Sequence, residues 1–224
     1  MIPVRAAPEP DSFEEKVRRP GEAAVAELVG ERTGLTRRGP KRKPGYARRE
    51  DIKWDRHRSL SYWTRALDDL RDAYHNLCAY LAMEIPNGVG WATVDHFVPK
   101  SHDWSLVYEW SNYRFCAGRV NAARSEQTLP LDPFGLEPGL FALELTDYQV
   151  VRGPNVSATS QGAVDDTIRI LKLNARDCCK LRETYVAEYR LGPPRGIAIQ
   201  ALERRAPFIA QELRRQGKLN PGDA

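Results

Sequence analysis

The sequence has no long apolar run: nowhere in its 224 residues do about 18 apolar residues follow one another. Because a helix needs about that length to cross a bilayer, the sequence predicts no transmembrane helix and no membrane partner. The first residues also lack the basic-then-apolar pattern of a secretory leader. Apolar residues at 42% and charged residues at 29% are instead typical of an ordinary globular protein.

Cysteine is scarce and shows neither a C-x-x-C zinc pair nor a disulfide framework. The four cysteines are Cys78, Cys116, Cys178 and Cys179. We therefore expect free thiols and a cytoplasmic protein, since disulfides rarely persist in the cytosol. The adjacent Cys178 and Cys179 are interpreted as packing residues on a helix, and a vicinal redox pair is the alternative.

Positive charge is concentrated in residues 31–58, which hold eleven Lys and Arg against four Asp and Glu, whereas the whole chain carries only +4. Such a cluster is typical of segments that bind nucleic acid, because phosphate contacts release counterions. A solvated basic linker is an equally good interpretation. Flanking Gly-Pro and Pro-Gly pairs predict a loop here. The candidate nucleic-acid contacts in it are Arg37, Arg38, Lys41, Arg42 and Lys43.

The residue pattern predicts an α+β protein with three regions. Residues 1–58 are expected to form an extended basic N-terminal arm with one short helix at 20–32. Residues 59–85 carry apolar residues in steps of three and four, which predicts one long amphipathic helix. A strand, a loop, a second strand and a short helix should follow by residue 135, as a ββα unit. Residues 136–224 predict a small hairpin and then helices broken near Asn174 and Pro207.

The polar residues of the ββα unit form a candidate site. Asp95 and His96 are neighbours on a strand, so their side chains should leave opposite faces. Asn121 opens the short helix, and Arg124 lies one turn further along. If this helix packs across the hairpin, Asp95 and Asn121 meet. Two oxygen ligands suit a hard cation such as Mg²⁺, whereas zinc prefers nitrogen and sulfur.

The stretch "VDHFVPKS…YEWSNYRFCAGRVNAARSE" resembles the ββα-metal motif of HNH endonucleases in their HNN form. The family pattern is an acidic residue followed by His, then a central Asn, then a terminal His or Asn on the helix. Asp95-His96, Asn112 and Asn121 occupy these places. The resemblance is strongest to bacterial HNH proteins linked to Septu-type and retron-associated anti-phage defence. It implies an HNH core embedded between helical segments, within residues 59–135.

The resemblance also implies an activity, namely hydrolysis of phosphodiester bonds in DNA rather than RNA, with Mg²⁺ or Mn²⁺ as cofactor. His96 would be the general base, and Asp95 and Asn121 would hold the metal ion. Asn112 would brace the loop between the strands. The resemblance further implies an anti-phage defence effector, with an ATPase as a possible partner.

Two further residues are candidate phosphate contacts, Arg124 and Lys100, because a cationic side chain beside the site would bind a phosphate oxygen.

The sequence departs from these relatives at the two C-x-x-C pairs that many of them use to bind a structural zinc ion. The first pair keeps Cys78 but has Leu81 in the second place, and the second pair is replaced by Ala117 and Val120. Structural zinc is therefore not expected. Two alternatives stay open: a catalytically inactive subunit with this fold that binds DNA or protein, and a toxin-like RNase.

Overall fold

The structure is a computed structural model and describes residues 1–34, 42–86 and 91–223. Within these residues the chain combines α-helices with two small antiparallel sheets, as the predicted α+β class requires. The helices are α1 (Arg19–Leu28), α2 (Leu67–Ala73), α3 (Gly118–Arg124), α4 (Ala158–Ile170), α5 (Arg176–Leu191), α6 (Ile199–Arg205) and α7 (Pro207–Arg215). The strands are β1 (Ala92–His96), β2 (Tyr113–Ala117), β3 (Phe141–Leu143) and β4 (Val150–Arg152).

The predicted order of strand, loop, strand and short helix is confirmed. β1 pairs antiparallel with β2, with Ala92 opposite Ala117 and His96 opposite Tyr113. α3 begins directly after β2, at Gly118, where a Cβ atom would lie 2.4 Å from the ring of Trp91. A larger residue at this position would displace the exposed Trp91 ring, whereas glycine leaves room for it where the Gly118 N–H bonds the Trp91 carbonyl at 2.7 Å.

The long helix expected over residues 59–85 is wrong, because only Leu67–Ala73 is α-helical. A 3₁₀ turn (Tyr62–Ala66) leads into α2, which ends before His75 and Asn76 at φ angles of 51° and 61°. The Asn76 N–H donates to the Arg71 carbonyl at 2.8 Å, and the Asn76 carbonyl accepts from the Ile85 N–H at 2.9 Å. The chain therefore turns back through residues 77–85, hereafter the 77–85 loop.

The extended arm expected over residues 1–58, with its one helix at 20–32, is wrong for residues 14–19, which are also helical. A π-helical turn (Glu14–Arg18) runs directly into α1. Phe13 is fully buried, and its ring packs edge-on against Trp110 and Tyr113 at centroid distances of 5.6 and 5.7 Å. Burial of this apolar surface explains why the segment is ordered against the ββα unit.

The C-terminal predictions are confirmed. β3 and β4 form the small hairpin, and Asn174 separates α4 from α5. The Asn174 side chain bonds both the N–H and the carbonyl of Val150, at 2.7 and 2.9 Å, so the break between the helices is held against β4. Pro207 begins α7, where its missing N–H costs no hydrogen bond.

The C-terminal helices contact the 77–85 loop through an ion pair between Arg205 and Glu84 at 2.9 Å. In the described part of the chain, none of the helices has the length and apolar character needed to cross a membrane.

Replacing Phe13 with alanine should destabilise the protein by about 3–5 kcal/mol, because it leaves a cavity between two aromatic rings. The exposed Asp11 is the matched control, and Asp11→Ala should change stability by no more than about 0.5 kcal/mol. Urea denaturation followed by tryptophan fluorescence measures both values. Equal stability of the two variants would show that residues 1–20 do not belong to the folded core.

Candidate functional site

Asp95 and His96 end β1 and point to opposite faces of the hairpin. The carboxylate of Asp95 faces α3 and the 77–85 loop, where it contacts Arg124 and Tyr80. The imidazole of His96 faces the loop between the strands and contacts the rings of Trp63 and Tyr113. Both residues are buried, with exposures of 3% and 5%. The candidate site therefore surrounds the end of β1, and the side chains of Asp95 and His96 lie on opposite faces of this strand.

The His96 ring is fixed by one hydrogen bond and two aromatic contacts. Its Nε2 lies 3.0 Å from the Val107 carbonyl oxygen. Because a carbonyl only accepts, Nε2 carries the hydrogen and Nδ1 keeps its lone pair. The Tyr113 hydroxyl donates to the same carbonyl at 2.8 Å. Burial, together with the charge of Lys100, lowers the pKa of His96 to about 3, so the ring is neutral at physiological pH.

Asp95 is joined to Arg124 in a buried ion pair. Oδ2 of Asp95 accepts hydrogen bonds from the Arg124 guanidinium and from the Tyr80 hydroxyl. The guanidinium also donates to the carbonyls of His96 at 2.8 Å, Phe97 and Gln127. Arg124 is fully buried. It therefore positions the end of β1, and this geometry speaks against the direct phosphate contact expected from the sequence.

Asn121 lies against β1 beside Asp95. Its Nδ2 donates to the Thr93 hydroxyl at 3.1 Å and to the Val94 carbonyl at 3.4 Å, so its Oδ1 is turned away from these acceptors. No described residue donates a hydrogen bond to Oδ1 of Asn121 or to Oδ1 of Asp95. Both oxygens reach solvent, because neither is a buried atom that lacks a hydrogen-bond partner. Carboxylate and amide oxygens with open lone pairs are the type of ligand that binds a hydrated Mg²⁺ or Mn²⁺ ion.

Larger ligand clusters are not found among the described residues, where no three His, Cys, Asp or Glu side chains gather around a possible metal position. A pair of one Asp and one Asn is smaller than such a cluster, and it includes an amide oxygen. It also suits an ion such as Mg²⁺, which keeps several of its waters when one or two protein groups bind it.

Asn112 holds the loop between β1 and β2. Its Oδ1 accepts from the Val98 N–H at 2.7 Å, and its Nδ2 donates to the carbonyls of Val98 and Leu106, each at 3.1 Å. Its own carbonyl accepts the Phe97 N–H at 2.8 Å. The loop that carries the His96 partner Val107 is thereby fixed to the strand that carries His96.

Lys100 lies near His96 without an ion pair to a described residue. Its ammonium lies 5.1 Å from the centre of the Trp63 ring, a cation–π contact. Burial lowers the pKa of Lys100, although Asp95 and Glu126 act in the opposite direction. Neither Asp95 nor Glu126 forms an ion pair with the half-buried Lys100 ammonium. The ammonium is therefore well placed to bind a phosphate oxygen.

The basic candidates of residues 31–58 fall into two groups. Arg37, Arg38 and Lys41 lie outside the described residues. Arg42 is paired with Glu27 at 3.2 Å and donates to the Ser59 carbonyl, so it braces α1. Lys43 is exposed.

Sequence reasoning missed three aromatic side chains at this site: Trp63 and Tyr113 against His96, and Tyr80 against Asp95. Trp63 belongs to the apolar face predicted for a long helix, and this pattern carries no sign of a contact with His96. Tyr80 lies in the stretch that was expected to end a long helix, and its hydrogen bond to Asp95 depends on how the 77–85 loop turns.

Comparison with known proteins adds no identification. No protein-family model matches the chain, and no curated protein matches it.

Arg124→Ala should lower the free energy of unfolding by about 3–5 kcal/mol, because it leaves the buried Asp95 carboxylate without its counter-charge. Arg119 on the same helix forms an exposed ion pair with Asp177, so Arg119→Ala should cost less than about 1 kcal/mol. Denaturant titrations of both variants give these values. An Arg124→Ala protein of normal stability that binds DNA poorly would restore Arg124 as a phosphate contact.

Proposed function

We propose that the protein is a metal-dependent endonuclease of the HNH type, which hydrolyses phosphodiester bonds in DNA. The observation that supports this most is the end of β1: His96, held at Nε2 by the Val107 carbonyl, directly follows Asp95, whose Oδ1 accepts no hydrogen bond from a described residue. The hydrogen bond at Nε2 leaves a lone pair with a fixed orientation at Nδ1, which a general base needs. The pKa of about 3 lies well below the value near the working pH that suits a general base, and this favours the second candidate below.

In this proposal His96 Nδ1 takes a proton from the water that attacks phosphorus. The ring cannot turn away, because Trp63 and Tyr113 pack on it at centroid distances of 5.0 and 5.2 Å. Asn112 has no direct part in proton transfer. It keeps Val107 in place and therefore keeps the His96 tautomer fixed, so we assign it a positioning role.

Asp95 and Asn121 would hold Mg²⁺ or Mn²⁺ through their Oδ1 atoms. When bound, such an ion stabilises the negative charge that develops on the phosphate and on the leaving oxygen. Arg124 and Tyr80 keep the Asp95 carboxylate oriented by occupying its other oxygen. Lys100 would bind a phosphate oxygen on the His96 side of the strand.

The substrate class follows from charge. Lys43 and the basic residues 37, 38 and 41 add positive charge along one short segment, which favours a polyanion. DNA rather than RNA, a role in anti-phage defence and a partner ATPase rest on the resemblance to HNH proteins alone. A toxin-like RNase would use the same site, so RNA belongs among the substrates tested.

One observation favours a second candidate, a catalytically inactive subunit that binds DNA or protein. Arg124 already provides a positive charge to Asp95, and Trp63 covers part of the His96 ring. A chain that kept the fold for binding alone would need no open route to His96. Cleavage assays separate the two candidates, because both would bind DNA.

The purified chain should nick supercoiled plasmid DNA with Mg²⁺ or Mn²⁺ and not with EDTA. His96→Ala should lower the rate by about 10²–10⁴-fold, the usual contribution of a positioned general base. Agarose gels over a time course measure both rates. His57→Ala is the matched control, because His57 contacts Tyr46 at a distance from β1, and it should leave the rate unchanged.

Absence of cleavage of plasmid, single-stranded DNA and RNA, together with DNA binding, would contradict the nuclease and support the binding subunit. Cleavage of RNA with intact plasmid would instead support the RNase.

Mn²⁺ binding tests the metal site without relying on cleavage. Asp95→Asn removes the charged ligand and Asn121→Ala removes the amide oxygen, so each should weaken Mn²⁺ binding by about tenfold or more. Electron paramagnetic resonance of free Mn²⁺ gives the dissociation constants. Asn155→Ala alters an exposed amide remote from β1 and should bind Mn²⁺ as the unmodified protein does. Equal affinities in all four proteins would exclude this pair as the ligands.

A further inference from the structure

Two of the four cysteines meet inside the protein although they are 38 positions apart in the sequence. Cys78 lies in the 77–85 loop and Cys116 lies in β2, and both are buried. A backbone hydrogen bond from the Ala79 N–H to the Phe115 carbonyl, at 2.9 Å, holds the loop beside the strand. Both sulfur atoms lie at the backbone of Ala117, because its N–H donates to the Cys78 sulfur at 3.4 Å and the Cys116 thiol donates to its carbonyl at 3.2 Å.

The Cys78 sulfur is surrounded by hydrogen-bond donors. The Ala117 N–H donates to it at 3.4 Å, and the backbone N–H groups of Tyr80 and Leu81 also point to it. Burial opposes ionisation of this thiol, but the donors outweigh burial and lower the pKa of Cys78 to about 7. Burial raises the pKa of Cys116, so the pair consists of one thiol that ionises readily and one that keeps its proton.

Each cysteine is also connected to the candidate metal site. Tyr80, two residues after Cys78, donates its hydroxyl hydrogen to Asp95. On the other side, the Asn121 backbone N–H donates to the Cys116 sulfur. A change in the bonding of the two sulfurs therefore acts on the residues that orient Asp95 and Asn121.

We propose that Cys78 and Cys116 form a reversible disulfide that weakens the Asp95–Asn121 site. The oxidant is a peroxide. The Cys78 thiolate attacks one peroxide oxygen, the O–O bond breaks, and hydroxide leaves to become water. The Cys116 sulfur then attacks the sulfenic sulfur, an S–S bond forms, and the S–O oxygen leaves as a second water with the Cys116 proton. Two thiols are oxidised by two electrons, and one peroxide is reduced to two waters.

A cavity provides a route for a small oxidant. A space of about 290 Å³ lies between the N-terminal residues and the 77–85 loop, and its lining includes Cys78, Tyr74 and Ala82. Hydrogen peroxide is small enough to enter a cavity of this volume. The neighbouring Cys178 and Cys179 are a poorer pair, because they are consecutive on α5 and the Cys179 thiol donates to the Asn174 carbonyl.

The disulfide would change the site because an S–S bond, about 2.05 Å long, is shorter than any contact between two unbonded sulfur atoms. Its formation draws the 77–85 loop toward β2, moves Tyr80 relative to Asp95 and removes the thiol hydrogen of Cys116. The effect on the metal site rests on the proposed function, whereas formation of the disulfide does not.

The test treats the reduced full-length protein with hydrogen peroxide and measures two quantities. Mass spectrometry of non-reduced peptides detects a Cys78–Cys116 cross-link, and electron paramagnetic resonance gives the Mn²⁺ affinity before and after oxidation. We expect the cross-link in the monomer, affinity for Mn²⁺ about tenfold weaker, and recovery of both properties with dithiothreitol. Cys179→Ser should behave as the unmodified protein, and Cys116→Ser should keep its Mn²⁺ affinity after oxidation.

Circular dichroism confirms that each variant is folded. Whether the Cys78–Cys116 cross-link forms is judged on the unmodified protein alone. Oxidation confined to Cys178 and Cys179, or cross-links only between molecules, would overturn the proposal. A Cys78–Cys116 cross-link with unchanged Mn²⁺ affinity would overturn its effect on the site. Reduced protein that binds no Mn²⁺ would instead contradict the proposed function, and the cross-link would still decide the disulfide.

Discussion

The ion pair between Arg124 and Asp95 is the constraint on which the ββα unit depends. A fully buried guanidinium needs acceptors for its N–H groups, and here the acceptors come from the end of β1, the following residue and the turn after α3. A seven-residue helix has little stability of its own, so α3 is held in place by contacts such as these. Because burying two charges is costly, the pair defines one geometry more than it adds net stability.

Because of this ion pair, the two oxygens of the Asp95 carboxylate have different roles. Oδ2 serves the structure by binding Arg124 and Tyr80, and Oδ1 stays open beside Asn121. A cation at Oδ1 would therefore meet a carboxylate that is already partly neutralised, which favours a weakly held, well hydrated ion over a tightly enclosed one. The same division explains why a positive charge on α3 does not reach a phosphate: the Arg124 side chain points into the protein.

The sequence predicted those parts of the fold that depend on local signals. The β-branched and aromatic residues of β1 and β2, the break at Asn174 and the boundary at Pro207 are each set by residues next to one another in the chain. The end of α2 could not be predicted in this way, because Leu77 and Leu81 continue the helical period. The left-handed turn at Asn76 depends on its hydrogen bonds to Ile85, which form only when the 77–85 loop folds back. Likewise, the sequence shows that Arg124 is basic, but its pairing with the buried Asp95 depends on the folded structure.

Two buried apolar side chains, Leu81 and Val120, lie where the resemblance to HNH endonucleases would place zinc-binding cysteines. Apolar contacts there can take over the link between the 77–85 loop and α3 that a metal ion would make. Cys116 lies near Cys78 because β2 runs beside the 77–85 loop, and both sulfur atoms bond to the backbone of Ala117. An N–H group that donates to a sulfur atom favours its thiolate form, which is the reactive form of a cysteine.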